Sequence, residues 1–117
     1  MKLLIIINDP PYGTERLYNA LRLAHALAKT EPKPEITVFL MADAVVAAKV
    51  GQKTPNGYYN AERMLKLVVT QKGRVLLCGT CMDARGIAGT DVIAGAERST
   101  MNELAVEILA ADKVLTF

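Results

Sequence analysis

Cys78-Gly79-Thr80-Cys81 holds both cysteines of the chain, and these are its most reactive side chains. Cysteine chemistry runs through the thiolate, which backbone N–H groups at a turn or helix start favour over the thiol. Arg85 follows Cys81 by four positions. On a helical turn it is close enough to favour a thiolate further. Gly79 and Gly86 allow the backbone to approach a small anion or a sulfur group closely. Thiol–disulfide exchange is therefore open. Against it, the chain has no Trp, no recognisable cis-Pro signature, and a strand pattern that suits a different sheet from that of thioredoxin. The competing reading is that both cysteines are small apolar fillers, since free Cys is often buried. A tetrahedral structural zinc site is short of ligands, because beyond the two cysteines the only histidine is the distant His25. No metal and no organic cofactor is expected.

The elements that must position these residues alternate between strand and helix. Lys2 to Asn8 reads as a short buried strand closed by Asp9-Pro10-Pro11-Tyr12-Gly13. Thr14 to Lys29 carries Leu17, Ala20, Leu21, Ala24, Leu27 and Ala28 on one helical face. Its end is set by Pro32 and Pro34, which cannot extend a helix. Glu35 to Met41 is a second strand, followed by a short Ala/Val helix capped by Asp43 and ended at Gly51. Asn60 caps a helix from Ala61 to Gln71, and Arg74 to Cys78 is a third strand. Cys78 to Gly89 is read as a turn with room for a short helix, and Asp91 to Ala96 as a brief fourth strand. Thr100-x-x-Glu103 matches a capping box that opens a helix to about Ala111, and Lys113 to Phe117 is the last strand. This alternation predicts one α/β domain over 1–117. The expected architecture is a three-layer, flavodoxin-like fold with a mostly parallel sheet of about five strands.

Such sheets bind ligands beyond the carboxyl ends of their strands, where strand order reverses. With the first strand placed between the second and third, that point joins the loop at Cys78 to the loop from Asn8 to Gly13. Asn8 and Asp9 are then expected to support the cysteines. The same loop lacks both the P-loop and the GxGxxG spacing, so ATP and NAD are unsupported, and it lacks the Ser/Thr richness of a flavin phosphate loop. His25 is read as a surface or subunit-contact residue, and Asp43 as a helix cap. Tyr58 and Tyr59, in the long polar loop, either cover the site or pack at a subunit contact.

Composition excludes several classes. Fourteen basic and twelve acidic residues are scattered to a net charge of +2, and aromatics make up only 5%. Neither a basic stripe nor a base-stacking surface results, so no nucleic acid is expected as a partner. Leu3 to Ile7 is far too short to span a membrane and lacks the flanks of a signal peptide. A cytoplasmic location follows as the expectation, with both thiols reduced at rest.

Several ordered segments together resemble the DsrE/DsrF-like family over nearly the whole chain. They are the opening strand with Asn8-Asp9-Pro10-Pro11-Tyr12-Gly13, then Leu40-Met41-Ala42-Asp43-Ala44-Val45, then Gly51-Gln52-Lys53. Leu77-Cys78-Gly79-Thr80-Cys81 with Arg85-Gly86-Ile87 and the ending Ala111-Asp112-Lys113-Val114-Leu115-Thr116-Phe117 complete the set. The resemblance implies a flavodoxin-like subunit that assembles into hexamers, here expected to be a homo-oligomer. It also implies a sulfur-transfer function, in which one cysteine holds a persulfide received from a donor protein and delivered to an acceptor. In that family the carrier thiol stands eight residues before a Gly in a stretch that also carries Arg, a relation that Cys78 bears to Arg85-Gly86. The carrier role thus falls on Cys78. Cys81 resembles the second cysteine of one branch, where it would resolve or share the persulfide. A thiol–disulfide redox protein using both cysteines, and a non-catalytic oligomeric module, are the alternatives.

Overall fold

The computed structural model describes residues 1–57 and 59–117. Strands β1 (Lys2–Ile7), β2 (Glu35–Leu40), β3 (Arg74–Cys78), β4 (Ala96–Ser99) and β5 (Lys113–Thr116) form one sheet in the order β4-β3-β2-β1-β5. Every pairing is parallel. The long helices are α1 (Arg16–Leu27), α2 (Ala61–Thr70) and α4 (Met101–Ala110), and a six-residue helix α3 spans Gly79–Ala84. A 3-10 helix over Ala42–Ala48 takes the place of the expected short Ala/Val helix after β2.

The α/β class and the parallel five-strand sheet agree with the sequence. The strand order does not. β2, not β1, stands at the middle, and β1 lies between β2 and β5. Both strands are buried over five consecutive residues, Leu3–Ile7 and Ile36–Leu40, so hydrophobicity alone does not rank them. The polar strands are the edges: β4 reads Ala-Glu-Arg-Ser and β5 Lys-Val-Leu-Thr, and most of their residues face solvent. Four strands therefore advance in one direction from β1 to β4, and the chain then returns to place β5 beside β1. Right-handed crossovers put α1, α2 and α3 on one face of the sheet and α4 on the other. Contacts between α1 and α2, and of the 3-10 helix with both α2 and α3, follow that arrangement.

The core lies between sheet and helices. Phe39, Leu4, Ile5, Leu21, Leu65 and Leu76 are fully buried within it, each contributing about 1.5–3 kcal/mol by leaving water. Local signals set the helix ends. Asn60 accepts a hydrogen bond from the Arg63 N–H at 3.0 Å and opens α2, and Thr100 accepts from the Glu103 N–H at 3.1 Å and opens α4. The Glu103 carboxylate accepts from Ser99 Oγ at 2.9 Å and not from the Thr100 N–H, so only the Thr100 half of the expected capping box forms. Gly73 makes the turn into β3 tight. A Cβ there would stand 2.7 Å from Val68 Cγ1, 3.0 Å from the Val68 carbonyl oxygen and 3.3 Å from that of Ile36. The fourth strand forms later than expected, because Ile93 donates to the Ala48 carbonyl and anchors the preceding segment outside the sheet.

Phe39→Ala removes the largest fully buried side chain of the central strand. It is expected to cost about 3–5 kcal/mol in urea denaturation followed by circular dichroism.

Candidate active site

Cys78 is the last residue of β3 and the residue that precedes the first turn of α3. Cys81 lies one turn into that helix. The spacing thus puts one thiol at the strand end and the other above it. Cys78 is only 4% exposed, yet it floors a recess of about 340 Å³ shared with Gly79, Thr80, Arg98, Ser99, Thr100 and Met101. Both cysteines are free, and Cys81 is half-buried.

The two thiols are shifted in opposite directions. Burial pushes the Cys78 thiol up. The Cys81 thiol, the Thr80 hydroxyl at 3.3 Å and the backbone N–H groups of Cys81 and Thr80 stabilise its anion, and the balance lowers its pKa below the ordinary thiol value. Burial also raises Cys81. Its hydrogen bond to Cys78 and the negative charge there raise it further, against the lowering effects of the Ala42 N–H and the Arg85 guanidinium. Cys81 Sγ accepts that Ala42 N–H at 3.2 Å. Ala42 holds φ at 52°, a left-handed conformation that costs a residue with a Cβ some strain, in the turn straight after β2. The two neighbouring thiols are thus shifted apart, Cys78 toward its anion and Cys81 toward its neutral form.

Arg85 serves the Cys81 side. Its Nε and Nη2 donate to Asp43 Oδ1 at 2.9 and 2.7 Å, and Nη1 donates to the Cys81 carbonyl at 3.0 Å. Asp43 is thus the partner that ties the turn after β2 to α3. It makes no side-chain cap, and the residue before the 3-10 helix is Met41. The guanidinium nearer Cys78 is one that the sequence reading missed. Arg98, on β4, lies against Gly79: a Cβ on that glycine would fall 2.7 Å from Arg98 Nε and 2.8 Å from Cζ. Asp83 holds it in place with two hydrogen bonds of 2.8 Å, from Nη1 and Nη2. Arg98 and Asp83 shift each other toward their charged forms, and the Cys78 charge adds a smaller favourable effect on Arg98. The clue lay in β3–β4 pairing, which sets Arg98 beside Leu77 and Ser99 beside Cys78. A fourth strand drawn at Asp91 to Ala96 hides it.

Asn8 and Asp9 are not part of this group. Asn8 donates from its backbone N–H to the Phe117 carbonyl at 2.8 Å, binding β1 to the end of the chain. Asp9 accepts from Thr14 Oγ1 at 2.9 Å and pairs with Arg16 at the entry to α1. The reversal of strand order falls between β1 and β5, whereas β2 separates β1 from the cysteine strand. The expected meeting of the two loops therefore does not occur. His25 is half-buried, and its Nε2 lies 2.9 Å from the Met64 carbonyl oxygen, joining α1 to α2. Tyr59 packs on Tyr18 with ring centroids 4.4 Å apart, at a cleft of about 850 Å³ that the cysteines do not line. Tyr58 lies outside the described residues. Among the described residues, no three His, Cys, Asp or Glu side chains gather as a metal site, and no helix is long and apolar enough to cross a membrane.

The family model for the DsrE/DsrF-like family matches residues 1–117. The chain belongs to the DsrE/DsrF-like family. It is 48% identical to Protein YchN of Escherichia coli K12 over 116 residues, covering 99% of this chain and 98% of that protein. It is 38% identical over 117 residues to the uncharacterized protein MJ0989 of Methanocaldococcus jannaschii, with full coverage of both. The crystal structure of the E. coli YchN protein superposes with a TM-score of 0.94, covering 100% of this chain and 99% of that one. MTH1491 of Methanobacterium thermoautotrophicum shares the fold at a TM-score of 0.76 and 14% identity, covering 99% and 98% of the two chains.

Cys81→Ala removes the neighbouring thiol that favours the Cys78 anion. The midpoint of Cys78 alkylation against pH, followed with iodoacetamide, is expected to move upward from that of the unaltered protein.

Proposed function

We propose that this DsrE/DsrF-like protein is a sulfur carrier that holds a persulfide on Cys78 and delivers it to a partner, acting as a sulfurtransferase in a relay. The observation that carries this reading is the unequal pair of thiols: a hydrogen-bonded Cys78 with a lowered pKa at the floor of a recess, and a raised Cys81 beside it. In loading, the Cys78 thiolate attacks the outer sulfur of a donor persulfide R–S–SH. A Cys78 S–S bond forms, the donor S–S bond breaks, and the donor leaves as RS⁻. An acceptor thiolate attacking the outer sulfur takes it over and restores the Cys78 thiolate. Neither step calls for a metal or an organic cofactor.

The same pairing favours a second reading, a dithiol redox protein. A nucleophilic first cysteine and a protonated second one divide the labour of disulfide exchange. The two readings meet in one reaction. If Cys81 attacks the inner sulfur of the Cys78 persulfide, hydrogen sulfide leaves and a Cys78–Cys81 disulfide remains, to be reduced by an external dithiol.

The carrier is proposed to work as a homohexamer, the assembly that the family resemblance implies. Support for self-association comes from α4, which covers its face of the sheet alone and leaves Leu109 87% and Val106 65% exposed. Met101, at the start of the same helix, also lines the Cys78 recess. Sedimentation at micromolar concentration is expected to give a species several times the mass of one chain.

The deciding experiment is intact-mass spectrometry after incubation with a persulfide donor, with and without reductant. A reductant-labile gain of one sulfur is expected in the unaltered protein. Cys78→Ser should abolish it, and Cys81→Ser should keep it and lengthen its lifetime. Loading of Cys78→Ser at the unaltered level would overturn the carrier assignment. A loss of two hydrogens that needs both cysteines, with no sulfur gained, would establish the redox reading instead.

A further inference from the structure

Arg98 stands at the mouth of the Cys78 recess in an arrangement that binding to Asp83 alone does not require. A guanidinium on an edge strand can reach solvent in any direction. This one is laid flat against Gly79, where a side chain of any size would displace it. Asp83 accepts from Nη1 and Nη2 only, which leaves the Nε–H edge and the outer hydrogens of the fork as donors. The other polar side chains of the recess each have a partner within the chain, although the Thr100 hydroxyl, which accepts, keeps its own hydrogen. Ser99 Oγ donates to Glu103, Thr100 Oγ1 accepts from the Glu103 N–H, and the Thr80 hydroxyl lies on Cys78 Sγ. Among the residues lining the recess, Arg98 alone carries a formal positive charge. The nearby carboxylates of Asp83 and Glu103 are both engaged in hydrogen bonds and do not line it.

We propose that Arg98 is the donor-selecting residue of this site: it pairs with a negative group on a small persulfide, such as a carboxylate, and thereby sets the outer sulfur against Cys78. This rests on the carrier reading and adds the class of donor to it. The step is the one already written. Cys78 takes the outer sulfur, the donor S–S bond breaks, and the donor leaves as its thiolate with the carboxylate still paired to Arg98. A guanidinium suits this task because the edge that Asp83 leaves open, Nε–H with the outer Nη2 hydrogen, still matches a carboxylate side-on. Gly79 has a matching role, since its missing Cβ is the space in which the guanidinium lies.

The test compares two alkylating agents of similar size on the Cys81→Ser protein, in which Cys78 is the only thiol: anionic iodoacetate and neutral iodoacetamide. Thiolate reactivity cancels in their rate ratio, which leaves the preference of the recess for an anion. Arg98→Met is expected to lower the iodoacetate/iodoacetamide ratio by about tenfold, the order of one hydrogen bond to a charged group. Arg98→Lys keeps the charge without the fork and should fall between. Gly79→Ala keeps Arg98 but pushes it aside, and should lower the ratio as well, with circular dichroism unchanged in all three. An unaltered ratio in Arg98→Met overturns the proposal. Neither reagent carries sulfane sulfur, so the ratio is read whether or not the protein holds a persulfide. A lowered ratio in a protein that loads no sulfur would sink the carrier reading alone and leave the anion preference of Arg98 standing.

Discussion

Burial of Cys78 opposes its ionisation, and the site is arranged around that opposition. A thiolate under a protein surface loses its water and must find donors in the chain. The chain supplies them locally, through the Thr80 hydroxyl, two backbone N–H groups of the first turn of α3, and the thiol of Cys81. These donors require β3 to end at Cys78 and helix to begin at Gly79. That junction in turn needs β3 held by β2 on one side and β4 on the other. The reactive sulfur is thus a consequence of where a strand stops.

The strand order decides which loops share the site. With β2 at the centre, the turn after β2 approaches α3, and it brings the Ala42 N–H to Cys81 and the Asp43 carboxylate to Arg85. The strand on the other flank brings Arg98 to Gly79. Each side of the CxxC turn therefore has an arginine held by an aspartate: Arg85 with Asp43 beside Cys81, and Arg98 with Asp83 beside Cys78. Both pairs are largely exposed and stabilise the fold little. Their value is placement, because a long flexible side chain is fixed beside each sulfur.

Much of this was legible in the sequence. The apolar runs of β1 and β2, the Asn60 and Thr100 caps and the strand–CxxC–helix junction follow from local pattern, and so does the α/β class. Strand order was not legible. Leu3–Ile7 and Ile36–Leu40 are both short runs buried throughout, the second interrupted only by Thr37, and only pairing partners distinguish a central strand from its neighbour. That one ambiguity moved Asn8 and Asp9 into the site on paper, although in the structure they fasten β1 to the chain end and α1 to its loop. Arg98 was missed for a related reason. Glu97-Arg98-Ser99 has no apolar alternation to mark a strand, because an edge strand is stabilised by its one neighbour, β3, and not by burial of its own side chains.

The opposite shifts of the two thiols bear on how long a persulfide would survive. A neighbouring thiol is a hazard to a bound persulfide, since attack on its inner sulfur discards the cargo as hydrogen sulfide. The attacker must be a thiolate, and Cys81 is kept from that state by burial, by its own hydrogen bond to Cys78 and by the negative charge there. A persulfide is itself an anion near neutral pH, so loading Cys78 does not lift that restraint. The Arg85 guanidinium and the Ala42 N–H work in the other direction and favour the Cys81 thiolate. The proximity of two cysteines is therefore not by itself a commitment to disulfide chemistry. On the carrier reading, the balance of donors around the second sulfur decides whether the cargo is handed on or lost as hydrogen sulfide.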